Sequence, residues 1–318
     1  MSKEAHKSKI GGQALIEGIM MRGVQTSAMA CRLPDGTIDL ETWEENNGKN
    51  APWYKKVPFI RGSFNFISSL ATGYKCLMKS AEKQMQDGEE EEEMSKFEQW
   101  LSEKLGDKVM GIVSVVSMVL GVAFSLFLFK FLPSLITKPF NDQRILRSIV
   151  EGLIKIIIFV GYIASTSLMK DIRRTYEYHG AEHKTIACLE ANEELTVDNV
   201  KKQTRFHPRC GTSFIFITLF MSIFVFCFIP SFSSIDNQTA KVFARLGLQL
   251  VLLPLIIGIS YELIRLAGRH DNTFTRIISA PGLKLQRLTT REPDDSQIEV
   301  AIAAIKPCIP ENLEDDNW

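Results

Sequence analysis

The apolar and charged residues of this chain are segregated along its length, and that constrains its fold more than any single motif. Residues 109–132, 149–169, 212–229 and 246–264 are almost wholly apolar, whereas residues 80–108 and 286–318 are dense in charge. Apolar runs near twenty residues match a hydrocarbon core of about 30 Å crossed at about 1.5 Å per residue. The averages, 45% hydrophobic and 23% charged, would pass for a soluble globular protein and conceal the pattern. The pattern predicts a membrane protein, mainly α-helical, with four transmembrane helices and a small mixed α/β cytosolic part. Lys+Arg 37 against Asp+Glu 37 leaves no net charge. That argues against direct nucleic-acid binding, which needs clustered basic charge.

Basic residues near the span ends set the expected orientation. The loops at 133–148 and 230–245 carry few of them, but 170–211 carries Lys170, Arg173, Arg174, Lys184, Lys201, Lys202, Arg205 and Arg209. The region from 265 to 318 is also basic near its start, with Arg265, Arg269 and Arg276. The positive-inside rule therefore puts both termini and the 170–211 segment in the cytoplasm. In the second span, Glu151 and Lys155 sit four apart and can pair while reaching for the interface. Pro133 is expected to end the first span, and Pro254 with Gly258 to kink the fourth. The six cysteines form no CxxC pair, so reduced thiols are expected. The N-terminal stretch lacks an apolar signal core, so no cleaved signal is expected, and His6 reads as part of a disordered tail.

Outside the spans, residues 1–58 read as an N-terminal cytosolic segment. Met29–Leu33 and Thr37–Trp43 flank Pro34-Asp35-Gly36, which predicts a β-hairpin. Gly11-Gly12-Gln13, Glu17-Gly18 and Met21-Arg22-Gly23 suggest a tight, glycine-punctuated segment before it. Residues 59–108 combine an amphipathic helix with an acidic linker at 87–93. Phe64, Ile67, Leu70, Tyr74, Leu77 and Met78 recur at helical spacing, which suits a helix lying on the membrane or one packed on the cytosolic domain. In the tail, Pro293 suits a first helical turn, and Ile298, Val300, Ala301, Ile302 and Ile305 form an apolar face.

Chemistry concentrates in the 170–211 segment, which holds three of the five histidines. His179-Gly180-Ala181-Glu182-His183 is an H-x-x-E-H string. On a helix it sets two imidazoles one turn apart, able to share a divalent metal, zinc first. Glu182 then stands as the general base, as in inverzincins. His207 and Cys210 have the spacing of a zinc knuckle. They close a four-ligand structural site with His179 and His183; alternatively one of them, or Glu262, is a third ligand that leaves a position open. Glu17 and Arg22 either line the same site or pair with each other. Arg22 or Arg209 is a candidate for holding an anionic group or an oxyanion. His270 reads as a helix-end cap.

Five ordered strings are recognisable together: Gly11-Gly12-Gln13-Ala14, Glu17 through Gly23, Tyr178 through Lys184, His207 through Gly211, and Leu288 through Pro293. On these the chain resembles the YqhQ family of bacterial multi-pass membrane proteins. The resemblance implies the bacterial cell membrane and metal-dependent enzyme chemistry, without a substrate. Some relatives look grouped with translation components, which implies a ribosome, translocon or other membrane complex as an alternative partner beside the lipid bilayer. Two functions follow. One is a membrane-embedded metal-dependent hydrolase; the other is an accessory or scaffold protein whose metal is structural. Transport has little support, since few charges lie within the spans.

Overall fold

A computed structural model of the chain describes residues 6–45, 52–85, 109–140, 143–229, 235–270, 272–312 and 316. The acidic run at 87–93 lies outside the described residues. The fold is mainly helical, with one small antiparallel sheet near the N-terminus. It divides into two compact units, residues 85–159 and the remainder.

The sheet has four strands in chain order: β1 (Gly11–Leu15), β2 (Gly18–Arg22), β3 (Thr26–Arg32) and β4 (Ile38–Glu44). The expected hairpin is its β3–β4 half, running from Thr26 opposite Glu44 to Arg32 opposite Ile38. Gly36, at φ 87°, supplies the left-handed turn residue. The glycine-punctuated segment forms the second hairpin, β1–β2, which the sequence reading left without strands. Its tip holds Glu17 at φ 47°, an uncommon conformation for a residue with a Cβ. Arg174 and Tyr178 grip the Glu17 carboxylate and hold the tip in place.

Alternation along the strands gives the sheet two apolar faces. Ile19, Met21, Ala28 and Ala30 pack against helices α5 (Lys170–Glu190) and α10 (Asp295–Ile305). Leu15, Met20, Met29 and Cys31 pack against Cys76 and Leu77 of α1 (Ile60–Met85). Tyr178, Ile186, Ile298 and Ile305 are fully buried on the first face, and each such side chain contributes about 1.5–3 kcal/mol. Helix α10 starts at a capping box: Asp294 accepts from the Gln297 N–H at 2.9 Å, and Gln297 accepts from the Asp294 N–H at 3.0 Å. Pro293 precedes that cap instead of occupying the first turn. The tail at His6 is not loose either, for its imidazole meets Asp316 at 2.9 Å.

Among the described residues, three helical stretches are long and apolar enough to cross a membrane: Val115–Ile136, Ile145–Thr166 and Phe243–Arg269. The first begins as α2 (Val109–Leu126), passes through a π-turn at Phe127–Phe131 and continues as α3 (Leu132–Ile136). Pro133 therefore does not end it. The π-turn has already shifted the hydrogen-bond pattern, and Pro133 falls in the first turn of α3, where its missing N–H costs little. The second is α4 (Arg144–Thr166), in which Lys155 and Glu151 pair at 2.8 Å, as their spacing predicts. After the short α6 (Val197–Lys202) comes α7 (Gly211–Phe226), apolar but only 16 residues long. Helix α8 (Gln238–Arg269) runs through Pro254 without interruption, and α9 (Thr273–Thr289) follows it. All six cysteines are unpaired.

Candidate metal centre

Helix α5 carries the H-x-x-E-H string near its middle. Gly180 within it costs about 1 kcal/mol of helix propensity against alanine. Its missing side chain is needed, because a Cβ there would stand 1.9 Å from the Arg291 carbonyl oxygen. The segment after α9 thus lies directly on α5, and the Arg291 N–H donates to the Tyr176 carbonyl at 2.8 Å. This close approach brings the Thr289 carbonyl to His179, whereas His183 is met by the loop that leads to Cys210. His179 Nδ1 lies 2.8 Å from the Thr289 carbonyl, and His183 Nδ1 lies 2.6 Å from that of Arg205. A carbonyl only accepts, so each Nδ1 is the donor. Each Nε2 is therefore the nitrogen left to meet a metal.

Cys210 caps the N-terminus of α7, where the helix dipole favours a thiolate. Its Sγ lies 3.2 Å from His179 Nε2 and 2.9 Å from the Thr212 hydroxyl. The loop before it is held by Gln286, whose amide accepts from the His207 N–H at 2.9 Å and donates to the His207 carbonyl at 2.7 Å. One ligand atom each from His179, His183 and Cys210 then falls within 4.8 Å of the others. Burial opposes charge on His179 and Cys210. Even so, the Cys210 sulfur raises the His179 pKa to about 9, and the two imidazoles hold the Cys210 thiol well below its usual range. The cluster therefore favours an anionic sulfur with a cation beside it.

A zinc ion fits this set. Ligand distances of about 2.0–2.1 Å to nitrogen and 2.3 Å to sulfur in a tetrahedron separate ligand atoms by about 3.3–3.6 Å. The His179–Cys210 separation of 3.2 Å is close to that. Two imidazoles with their far nitrogens tied to carbonyls, plus one thiolate, is a donor set that zinc accepts.

Glu182 lies beside the cluster, 5% exposed. Burial pushes its pKa up, against the pull of His179 and His183. The Gly12 N–H is directed at its carboxyl. A Cβ on Gly12 would lie 3.0 Å from Glu182 Cδ, so only glycine lets β1 come this near. Glu182 Oε2 has no hydrogen-bond partner among the described residues.

The other candidate residues have different neighbours. His207 is adjacent, its ring centroid 5.6 Å from that of His183, but its Nε2 faces Glu190 at 3.6 Å and Arg209 at 3.4 Å. Arg209 is buried and paired with Glu190. Glu262 is bound by Arg61 and by the Phe59 N–H at 3.2 Å. Glu17 and Arg22 do not pair with each other. Glu17 holds Arg174 and Tyr178, whereas Arg22 reaches Glu45 at 3.1 Å and the Ser69 hydroxyl at 3.0 Å. Gly12, Gln286 and the carbonyls of Thr289 and Arg205 build the site without having been singled out as its parts. Gly12 and Thr289 lie in recognisable strings, but carbonyl orientation leaves no mark in a sequence.

The family model described as "Protein of unknown function (DUF1385)" matches residues 57–311. The protein YqhQ of Bacillus subtilis (strain 168), itself described as uncharacterised, is 36% identical over 309 residues, covering 95% of this chain and 92% of that protein. No solved structure matches the chain. A match over most of the length at that identity means that the chain belongs to the DUF1385 family, together with YqhQ.

Proposed function

We propose that the chain is a metal-dependent hydrolase of the bacterial cell membrane, with four spans and both termini in the cytoplasm. The membrane reading draws on the three long apolar stretches and on the basic residues that flank them on one side. Helix α7 is the fourth span, completed by the apolar residues 227–229 that follow it. Cys210 lies at its start, so the metal centre stands at the cytosolic end of a span. The observation that carries the catalytic reading is the site's composition: three protein ligands, with an unpartnered carboxylate oxygen next to them. Three-ligand zinc sites leave a position for substrate or water, whereas structural sites are closed by four.

His179, His183 and Cys210 would hold the ion, which when bound supplies Lewis acidity. Glu182 Oε2 accepts the proton of the attacking water and returns it to the leaving group. Its burial and the unpartnered Oε2 suit it to take up and return a proton. Thr289 and Arg205 keep the imidazoles in the ligand-ready tautomer through their carbonyls. Arg209 braces the 207–210 loop through Glu190. A second reading is favoured by His207, whose ring neighbours His183: if it turned from Glu190 to the ion, the site would be closed and structural. The protein would then be an accessory on a ribosome, translocon or other membrane complex.

The test compares metal content, melting temperature and complementation of a strain lacking the chain for three variants. His183→Ala and Cys210→Ser should lose the metal, and with it about 3–4 kcal/mol of ligand-linked stability at saturating metal. Glu182→Gln should keep metal and stability while activity falls by about 10²–10⁴. Full complementation by Glu182→Gln would remove the hydrolase reading and leave the structural one.

A further inference from the structure

Helix α1 turns the wrong residues inward. The row it buries against the sheet and α8 is made of small side chains: Gly62, Gly73, Cys76 and Ser80. A Cβ on Gly73 would collide with the Gln13 amide, and one on Gly62 would stand 2.6 Å from Tyr261 Cβ. The opposite row carries Ile60, Phe64, Ile67, Tyr74 and Met78, at intervals of three, four or seven residues. Phe64 is 46% exposed, Ile67 62% and Tyr74 65%. An amphipathic helix that packs on a protein core buries its large apolar side chains and exposes its polar ones. Here the large side chains face away from the core, along about 27 Å of helix.

We infer that α1 lies in the plane of the cytosolic leaflet and seats the sheet, and with it the metal centre, on the bilayer surface. This rests on the membrane reading proposed above. Lipid is the occupant for three reasons. Helix α1 packs on the apolar helices through its inner side: the Phe66 and Phe214 rings, the latter at the start of α7, lie 5.4 Å apart in a tilted pair, and a Cβ on Gly62 would stand 3.0 Å from Gly258 Cα of α8. Trp53, 69% exposed, and Tyr54 precede the stripe, and such rings favour the headgroup level. Lys55, Lys56 and Lys75 border it, as cations border the apolar face of helices bound to anionic leaflets. Phe66 and Phe214 also fix the level of Cys210, four residues before Phe214. The metal centre accordingly stands close to the level of the membrane surface.

The test uses the full chain in nanodiscs of phosphatidylglycerol and phosphatidylethanolamine. A photo-crosslinking benzoyl-phenylalanine replaces, one at a time, Ile67, Tyr74, Lys83, Val119 and Phe220, and adducts are identified by mass spectrometry. Positions 67 and 74 should give lipid adducts in yields comparable to those at 119 and 220, and position 83, which faces the sheet, should give none. Lipid adducts at 119 and 220 with only polypeptide adducts at 67 and 74 would overturn the inference and leave the membrane reading standing. Absence of lipid adducts at 119 and 220 as well would overturn both.

Discussion

Helix α5 packs Tyr178, Ala181 and Ile186 on one face of the sheet and buries His183 and Glu182 beside them, while α1, on the other face, exposes large apolar side chains. Each inverts the ordinary helix rule, in opposite directions. Burying His183 and Glu182 carries a desolvation cost, which a soluble helix avoids by turning such groups outward. Exposing Ile67 and Tyr74 forgoes burial worth about 1.5–3 kcal/mol per side chain. On the reading proposed above, the partner of α5 is a cation held by His179, His183 and Cys210, and that of α1 is lipid. Both helices flank one small sheet.

A charge placed on each side of α1 should act differently on its two faces. Leu77 is packed on the sheet cluster, and Leu70 is exposed. Leu77→Asp should cost about 3 kcal/mol or more in any medium, by losing apolar burial and burying a charge. Leu70→Asp should stay within about 0.5 kcal/mol in detergent, as surface substitutions do, and show its effect only in bilayers. Thermal melts of both variants in detergent and in nanodiscs would measure this, and equal losses in detergent would mean that α1 packs on protein all round.

A smaller effect is expected on α5. In Gly180→Ala the new methyl would meet the Arg291 carbonyl at 1.9 Å, so the 289–293 segment must shift. Overpacking of this kind costs about 1–3 kcal/mol. Because Thr289 orients His179, metal affinity should fall along with the melting temperature. A melt that drops while zinc affinity stays unchanged would separate the packing contact from the ligand orientation.

Legibility in the sequence followed the range of the interactions. Periodicity is local, so the apolar runs, the β3–β4 hairpin and the 151–155 ion pair were all readable. The H-x-x-E-H string set His179 and His183 on one helical face, and nearby Cys210 was a candidate on spacing alone. What could not be read was which of five candidate ligands converge. That depends on Gly180 and Gly12, whose absent side chains admit Arg291 and Glu182 to close contact, and on Gln286, which fixes the 206–210 loop from 79 residues away. Glu262 was credible as a ligand until its partner, Arg61, was visible across 201 residues. The β1–β2 hairpin was missed because glycines hide strand periodicity, and its tip depends on a left-handed Glu17 held by distant Arg174.

The proposed zinc site has two imidazoles and one thiolate as ligands and one position left open. Zinc K-edge X-ray absorption on the purified full chain measures that shell directly. The account predicts about one zinc per chain with one sulfur near 2.3 Å and the remaining scatterers nitrogen or oxygen near 2.0–2.1 Å. The sulfur should vanish in Cys210→Ser, and the shell should be unchanged in His207→Ala. A sulfur-free shell, a shell that loses a nitrogen in His207→Ala, or a purified chain that binds no zinc at all would contradict it.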